Sequence, residues 1–259
     1  MNEITVNLKR FKEAVEAIWL RGKYKSSTAS KVDVISDIGI GLVKRNLTLA
    51  NANHTIAACI RLGIDAPISR VDGGEEDFMF IFDIEKVVKY LKVFKSEDLV
   101  LKISESQLIL QDENSKSTMK LAVEHSNFPF ISRITSLTIP GEGLPKIGLT
   151  QLDTCLIFDG NDLARVIKQC NIVGTATYKI DFDGEHCKVS SSNFQGTEHF
   201  ESKLPLTGHQ GKESTVEFTA PIDKFCTDGT MFLYMGDDKP ILLFAPTRQL
   251  LMAPYVKVR

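Results

Sequence analysis

Pairs of cationic side chains three residues apart are the feature of this sequence best suited to binding chemistry. Lys86 and Lys89 belong to one helical pattern, and Arg165 and Lys168 belong to another. Residues at this spacing share a helix face, and neither face presents a run of balancing acids. Such side chains suit contact with phosphates, where charge and not base sequence supplies the attraction. For any single helix, an ordinary solvated face is the alternative.

Apolar stripes predict the helices that position these cations. The first stripe, within Phe80–Lys95, consists of Ile84, Val87, Val88, Leu91 and Phe94. The second consists of Leu163, Val166, Ile167 and Cys170. Each helix runs into short strand-like segments, such as Leu99–Ile103 and Tyr178–Phe182, and a further helix of mixed charge is expected over Leu8–Leu20. We therefore expect a basic-faced helix on a sheet in both halves of the chain.

Bulk composition is that of an ordinary globular protein. The 259 residues are 43% apolar and carry a formal net charge of −2, which does not by itself favour nucleic acid. Apolar runs fall short of the roughly 20 residues of a membrane helix, and the first residues resemble no signal segment, so we expect no export. Five scattered cysteines without a Cys-x-x-Cys pair favour reduced thiols inside the cell.

The order of elements predicts a duplicated domain. Strand, helix and strands recur in the second half, after a segment rich in Pro, Gly, Ser and Thr that begins near Phe128 and reads as a connector. We predict an N-terminal domain over 1–124, a connector over 125–152 and a C-terminal domain over 153–259. We also expect a strand at Gly41–Lys44, a polar loop around Gly208–Lys212 and a short helix from Pro221.

Catalytic motifs find little support in the sequence. The histidines His54, His125, His186, His199 and His209 lack metal-ligand spacing. Residues 181–185 resemble the start of a calcium loop but lack the later ligands, so a hairpin turn at Asp183 and Gly184 is the better interpretation. We expect a non-enzyme with no metal and no cofactor; an enzyme whose site is dispersed along the chain remains the alternative.

Several segments, taken in order, resemble one family. They are Phe158–Lys168, Met235–Leu243 and Met252–Pro254 in the second half, and Asn53–His54, Glu85–Lys89 and Met119–Leu121 in the first. The set resembles the sliding DNA clamps of the proliferating cell nuclear antigen type, as a divergent archaeal- or virus-like member. The resemblance covers nearly the whole chain and is weakest between Arg21 and Ile40 and in the connector.

The resemblance implies an α+β DNA-clamp fold with two similar domains, each packing helices on antiparallel sheets. Three subunits would close head to tail into a ring, because a heterologous contact that closes forms a ring. The residues that would face DNA are Lys12, Lys86, Lys89, Arg165 and Lys168, to which we add Lys9 and Lys224 from position alone. The subunit interface would pair an edge strand bearing Thr118, Met119 and Leu121 with one bearing Ser190 and Phe194.

The resemblance also implies a pocket for client peptides beneath the connector. Its residues would be His54, Leu137, Ile139, Pro240, Leu251, Met252, Ala253 and Pro254. Such pockets receive a short helical peptide with aromatic anchors. The chain departs from the family pattern in its long connector with Arg133 and Lys146, in Leu251 where an aromatic residue is common, and in Asp228 near a position that is often basic.

The expected function is that of a DNA polymerase processivity factor in DNA replication and repair. It would encircle double-stranded DNA without sequence preference and tether a polymerase and other clamp-binding-motif proteins. A clamp-loader ATPase would open the ring, and the protein would act inside the cell at DNA, in cytoplasm, nucleoid or nucleus, without a membrane partner. A monomeric or hetero-oligomeric clamp relative, such as a checkpoint-type subunit, is the alternative to a homotrimer.

Overall fold

The computed structural model describes residues 2–19, 31–37, 45–52, 55–64, 69–70, 79–121, 134, 137 and 143–255. The chain divides into two compact units, Met1–Thr135 and Ser136–Arg259. The finer division into 1–124, 125–152 and 153–259 stays a prediction. The strand expected at Gly41–Lys44 lies outside the described residues.

The N-terminal unit contains two α-helices and nine strands within its described residues. The helices are α1 (Leu8–Ile18) and α2 (Ile84–Tyr90). The strands are β1 (Asn2–Asn7), β2 (Lys31–Asp37), β3 (Arg45–Ala52), β4 (Ile56–Ile64), β5 (Ser69–Arg70), β6 (Met79–Asp83), β7 (Asp98–Ile103), β8 (Gln107–Gln111) and β9 (Lys116–Lys120). They pair antiparallel in the orders β5-β1-β7-β8-β9 and β4-β3-β2-β6.

The C-terminal unit contains one α-helix, α3 (Gly160–Cys170), followed by a 3-10 turn over Asn171–Val173. Its strands are β10 (Lys146–Ile147), β11 (Thr150–Gln151), β12 (Thr154–Asp159), β13 (Thr175–Phe182), β14 (Cys187–Asn193), β15 (His199–Leu204), β16 (Gly208–Gly211), β17 (Ser214–Phe218), β18 (Thr230–Met235), β19 (Ile241–Ala245) and β20 (Arg248–Met252). They pair antiparallel in the orders β15-β14-β13-β17 and β16-β12-β18-β19-β20, and β10 and β11 form a separate hairpin.

The two units repeat one topology. The order β5-β1-β7-β8-β9 corresponds to β16-β12-β18-β19-β20, and β4-β3-β2-β6 corresponds to β15-β14-β13-β17. The prediction of an α+β fold with two similar domains and helices on antiparallel sheets is therefore confirmed. The sequence analysis compared α3 with α2, but α3 follows β12, which is the counterpart of β1, so α3 repeats α1.

The position of α2 in the second unit is taken by a turn over Asp223–Phe225, so the short helix expected from Pro221 is wrong. The backbone N–H of Cys226 donates to the carbonyl of Ile222 at 3.3 Å, which closes one helical turn that does not continue. Ile222 and Phe225 are buried and hold the turn to the core. A single turn gains too few hydrogen bonds to offset the cost of starting a helix.

Strand β16 replaces the polar loop that was expected around Gly208–Lys212. Its residues have low strand propensity, so pairing along β12 decides their conformation. The Thr154 hydroxyl lies 2.5 Å from the carbonyl of Lys212 and 2.7 Å from the hydroxyl of Ser214, which pins the end of β16. Gly211 has φ +103°, and a Cβ there would lie 2.0 Å from the carbonyl oxygen of Asp153, so only glycine fits.

The last residue of a strand, an Asn or an Asp, caps each of the three helices described. The Asn7 side chain accepts from the N–H of Arg10 at 3.1 Å, Asp83 accepts from Glu85 and Lys86, and Asp159 accepts from Asn161 at 2.8 Å. These caps satisfy N–H groups that the helix leaves unpaired. The apolar stripes predicted for α2 and α3 are buried, so the cap and the stripe together fix which face of each helix points away from the sheet.

The last residues of the connector are tied to the turn between β18 and β19. Lys239 Nζ donates to Asp153 Oδ1 at 2.7 Å and to the carbonyl of Gln151 at 2.9 Å, and Lys212 Nζ lies 3.5 Å from Asp153 Oδ2. Gln151 Nε2 donates in turn to the carbonyl of Leu144 at 2.7 Å. The hydrogen bond from Lys239 holds the pKa of Asp153 below its usual value, against the opposing effect of burial.

Gly160 provides a test of how α3 is seated. A Cβ at this position would lie 2.0 Å from the backbone oxygen of Thr227 and 2.7 Å from the sulfur of Met231. We expect Gly160→Ala to lower the free energy of unfolding by about 3 kcal/mol, because backbone must move to admit the methyl group. In the matched control Gly63→Ala, the new Cβ meets no described atom within 4 Å, and denaturant unfolding should show little change. Equal midpoints for the two variants would contradict the seating of α3.

Asp153 gives a pH-dependent prediction. Asp153→Asn should lower the free energy of unfolding at pH 7 by about 2 kcal/mol, because a charge-assisted hydrogen bond from Lys239 is weakened. The folded pKa is depressed, so this stability is present above the unfolded pKa of about 3.9 and is lost as pH falls through the folded pKa. Denaturant unfolding of both proteins from pH 7 to pH 2 should show the difference shrinking in acid. A difference that does not change with pH would contradict the assignment.

Candidate nucleic-acid interface, subunit edges and peptide groove

The predicted DNA-facing cations lie on the solvent side of the helices. Among them Lys9, Lys86, Lys89, Arg165, Lys168 and Lys224 are exposed, whereas Lys12 is half-buried. Lys224 stands on the turn over Asp223–Phe225 that replaces a fourth helix. The sequence analysis did not nominate Arg10, although it is exposed on α1 beside Lys9 and carries the same charge. The signal was available, because Arg10 belongs to the outward residues of that helix.

Two of the cations have acidic neighbours within their own helix turn. Lys86 Nζ lies 3.6 Å from Asp83, and Arg165 donates to Asp162 at 2.8 Å. The sequence analysis found no run of balancing acids on these faces, and each face carries a single acid close to its cation. Exposed pairs of this kind contribute about 0.5 kcal/mol, so an incoming phosphate can compete for the cation. Lys89 and Lys168, one turn further on, are exposed at the ends of α2 and α3.

Strand β9 is an edge of its sheet in the N-terminal unit. The N–H of Leu121 donates to the carbonyl of Ser106 on the side of β8. Because donors alternate along an antiparallel strand, the backbone groups of Thr118 point away from β8, as do those of Lys116 and Lys120. Of the predicted interface residues, Thr118 is exposed and Leu121 is half-buried, whereas the Met119 side chain is buried in its own unit.

Strand β15 is an edge of the sheet β15-β14-β13-β17 in the C-terminal unit, whereas the strand that bears Ser190 is not. Ser190 lies in β14, where it pairs with Lys179 on β13 and with Glu201 on β15. The prediction of an edge at Ser190 is wrong, because a strand paired on both sides has no backbone groups left for a partner. The N–H of Asn193 donates to the carbonyl of Glu198, so alternation turns the backbone groups of His199, Glu201 and Lys203 outward.

Phe194 stands at the tip of the hairpin that joins β14 to β15. Its side chain is 87% exposed. The Asn193 side chain organises this tip, since it accepts from the N–H of Thr197 at 2.9 Å and donates to the hydroxyl of the same residue. A large aromatic side chain is thus held outward on an ordered turn, beside the edge strand β15. Such residues are common anchors in protein interfaces.

One face of the sheet β16-β12-β18-β19-β20 carries two rows of side chains. Each row crosses β12, β18, β19 and β20. The inner row is Cys155, Tyr234, Leu242 and Leu251, and the outer row is Ile157, Phe232, Phe244 and Gln249. Residues directly opposite each other on neighbouring strands project from the same face. The rings of Phe232 and Phe244 are 6.1 Å apart. The inner row is largely buried, whereas the apolar residues of the outer row are only half-buried.

Connector residues pack against this face. Leu152 and the inner row form one apolar cluster, and Leu137, Leu144 and Ile147 contact it. The sequence analysis placed Leu137 and Leu251 in one pocket, and the structure brings both to this cluster. We call the surface formed by Leu137, Leu251 and the outer row the peptide groove. It is apolar and aromatic, which is typical of sites that bind peptides and small ligands.

The other predicted pocket residues have varied positions. Met252 is 1% exposed and lies on the opposite face of β20 from Leu251, so it supports the strand and does not line the groove. Pro240 and Pro254 are half-buried, and Ala253 is exposed. His54 and Ile139 lie outside the described residues. Their predicted contacts with a client therefore stay predictions.

The thiols are poor candidates for catalysis. The five cysteines, all of them within the described residues, form no disulfide bond. Burial raises the pKa of Cys155 to about 11 and the pKa of both Cys187 and Cys226 to about 12, so these thiols are protonated and unreactive near neutral pH. Across the described ranges, no group of three His, Cys, Asp or Glu side chains could hold a metal ion. In the same ranges none of the helices has the length and hydropathy that a membrane-spanning helix requires.

Comparison with solved structures identifies the fold. The chain superposes on A. fulgidus PCNA, solved with the C-terminal region of FEN-1 bound, with a TM-score of 0.69 at 13% identity over 100% of both chains. PCNA from Thermococcus kodakaraensis gives a TM-score of 0.64 at 13% identity, covering 98% of this chain and 100% of that one. The Bacillus subtilis DNA polymerase sliding clamp gives 0.71 at 13% identity, over 99% of this chain and 64% of the longer bacterial chain.

Sequence comparison alone finds no relative, since neither a family model nor a curated protein sequence matches the chain. The similarity therefore lies in the three-dimensional structure, at identities where side chains have largely diverged. It extends over the whole chain, as the sequence resemblance predicted. The chain has the fold of the sliding DNA clamps.

Proposed function

We propose that the protein is a sliding clamp that encircles duplex DNA and tethers replication and repair enzymes to it. The clamp fold supports this proposal, together with the exposed cations on the outward faces of α1, α2 and α3. A ring held on DNA by topology needs only weak phosphate contacts, and tight ones would prevent sliding. The net charge of −2, with exposed cations on the outward faces of the helices, suits that requirement. The protein would act at DNA inside the cell.

The proposed assembly uses two of the open sheet edges, β9 and β15. An edge strand with unpaired backbone groups favours pairing with another chain, and β9 and β15 lie in different units, so the contact between copies would be heterologous. A heterologous contact that closes gives a ring, and we propose three subunits. Lys116 and Lys120 on β9 would approach both Glu201 and Lys203 on β15, so backbone pairing and not charge would supply the attraction. A clamp-loader ATPase would be required to open such a ring around DNA.

Client enzymes would dock on the peptide groove. The neighbouring structure that contains the C-terminal region of FEN-1 supports this assignment. In this chain the groove offers Leu251, Phe232 and Phe244, which suit the apolar side chains of a short peptide segment. A DNA polymerase and other proteins with a clamp-binding motif are the proposed clients.

DNA contact is tested by reversing two cations. We expect Lys89→Glu with Lys168→Glu to weaken binding to a linear duplex at least tenfold at low salt. The slope of log affinity against log salt should fall by about two, because two phosphate contacts are lost. Fluorescence anisotropy with two unrelated duplex sequences measures both quantities, and the two sequences should behave alike.

The matched control for this experiment reverses two lysines on strands, Lys102→Glu with Lys179→Glu. It makes the same change in net charge away from the helices, on strands β7 and β13. The control should retain nearly all of the affinity and the salt slope of the wild type. If both double variants lose affinity equally, the attraction is general and the helices are not the DNA-facing surface.

The ring is tested at Thr118, whose backbone N–H points away from β8. Thr118→Pro removes this donor without breaking the β8–β9 ladder, so we expect a folded monomer near 28.8 kDa. Thr118→Ala keeps the donor and should run at three times that mass with the wild type. Light scattering at micromolar concentration distinguishes the two. A Thr118→Pro protein of unchanged assembled mass would refute the β9 interface, and a monomeric wild type would favour a monomeric or hetero-oligomeric clamp relative.

A further inference from the structure

The segments 83–89 and 162–168 share one pattern of charge. Each begins with Asp, carries Lys or Arg three residues later and Lys three residues after that, with two β-branched apolar residues between the cations. The first segment starts α2 and the second lies in α3. Because α3 repeats α1 and not α2 in the topology of the two units, duplication of the domain does not account for the shared pattern.

In both segments the acid contacts the first cation. Asp162 Oδ1 accepts a hydrogen bond from Nη2 of Arg165 at 2.8 Å, and Asp83 Oδ2 lies 3.6 Å from Lys86 Nζ. Within the part of the chain that the structure describes, the second cation of each segment has no carboxylate within 4 Å. Each helix therefore presents one cation that is paired and one, a turn further on, that is not.

Helix capping does not explain the acid in α3. That helix is capped by Asp159, which accepts from the N–H of Asn161, whereas Asp162 lies inside the first turn. In α2 the cap itself is the acid, since Asp83 accepts from two N–H groups through Oδ1 and faces Lys86 through Oδ2. The same acid–cation contact thus arises from two different positions in a helix. A favourable interaction of the acid with the helix N-terminus is the alternative role.

Both pairs are accessible to a phosphate group. The Arg165 side chain is 52% exposed and that of Asp162 is 34% exposed, and the corresponding values for Lys86 and Asp83 are 61% and 28%. Ion pairs at such exposure are weak, so a phosphate can take the place of the carboxylate. The cation then loses one anionic partner as it gains another, and its net contribution to DNA affinity is smaller than that of an unpaired cation.

We infer that Asp83 and Asp162 set how tightly the protein holds DNA, because they are internal counter-ions that compete with phosphates for Lys86 and Arg165. This inference rests on the proposed function, since the ligand is the phosphate backbone of the encircled duplex. The paired cations exchange between their own acid and successive phosphates. A ring that advances along DNA breaks phosphate contacts at every step, and a cation that returns to a carboxylate is not left without a partner charge.

The test replaces Asp162 by asparagine, which keeps the shape of the side chain and removes its charge. Fluorescence anisotropy with a linear duplex at low salt gives the affinity. We expect Asp162→Asn to raise the affinity about threefold and to steepen the slope of log affinity against log salt by about one, because Arg165 gains a full phosphate contact. Asp83→Asn should act in the same direction, and asparagine still caps α2.

The matched control is Asp238→Asn, which makes the same change in charge at an exposed site in the turn between β18 and β19. Asparagine tolerates the φ of 55° at this position. The affinity and the salt slope of this variant should be those of the wild type. If Asp238→Asn raises the affinity as much as Asp162→Asn does, the loss of any negative charge is sufficient and the inference is overturned.

A double-mutant cycle tests whether Asp162 acts through Arg165. In an Arg165→Gln background, we expect Asp162→Asn to leave the affinity nearly unchanged. An undiminished rise in that background would overturn the inference, because the acid would then repel DNA independently of Arg165. Thermal unfolding tests the structural alternative. If Asp162 only stabilised the first turn of α3, Asp162→Asn would lower the melting temperature and leave the salt slope unchanged.

The reversal of Lys89 and Lys168 distinguishes failure of this inference from failure of the proposed function. If that double variant binds the duplex as the wild type does, the helices do not face DNA, and both the DNA-facing surface and the role of the acids are refuted. If it loses affinity while Asp162→Asn binds as the wild type does, the DNA-facing surface stands. In that case only the counter-ion role of the acids is refuted.

Discussion

An Asn or Asp side chain at the end of a strand governs how this chain presents its charge. Asn7, Asp83 and Asp159 each accept hydrogen bonds from the first N–H groups of the following helix, and each helix then buries one apolar stripe on its sheet. Once the first residue of a helix and its buried face are fixed, the remaining side chains project into solvent. The cations of α1, α2 and α3 point away from the sheets for this reason, so the cap and the apolar stripe of each helix decide where its charge is exposed.

The sheets set a second constraint, because each unit has an edge strand that has no partner on one side among the described residues. These edges, β9 and β15, carry mostly short or charged side chains and an exposed aromatic residue, Phe194, beside one of them. Edges of this kind are protected either by charge or by a partner. Open edge strands promote aggregation of a lone chain. In the proposed ring these strands form the contact between subunits, and the peptide groove remains accessible to clients.

The sequence pattern predicted the helices and strands whose conformation depends on neighbouring residues in the chain. The stripes of α2 and α3 are buried as periodicity required, and most strands lie where alternation and turns placed them. Long-range pairing decided the rest. Gly208–Gly211 is a strand only because β12 lies beside it, and Ser190 is interior only because β15 returns along β14. The apolar strip of the outer row carried no signal in the sequence, since it depends on the pairing of four strands. The cation pairs were predicted, but their acidic neighbours in the capping turns were not.

The central claim is that this chain closes into a ring with its cationic helices on the inside. Single-particle electron microscopy of the purified full-length protein tests it most directly, because one reconstruction shows both the number of subunits and the face that each helix presents. The account predicts a closed three-fold ring, with β9 of one copy beside β15 of the next and α1, α2 and α3 around the hole. Isolated monomers, or a ring with these helices on its outer surface, would contradict it.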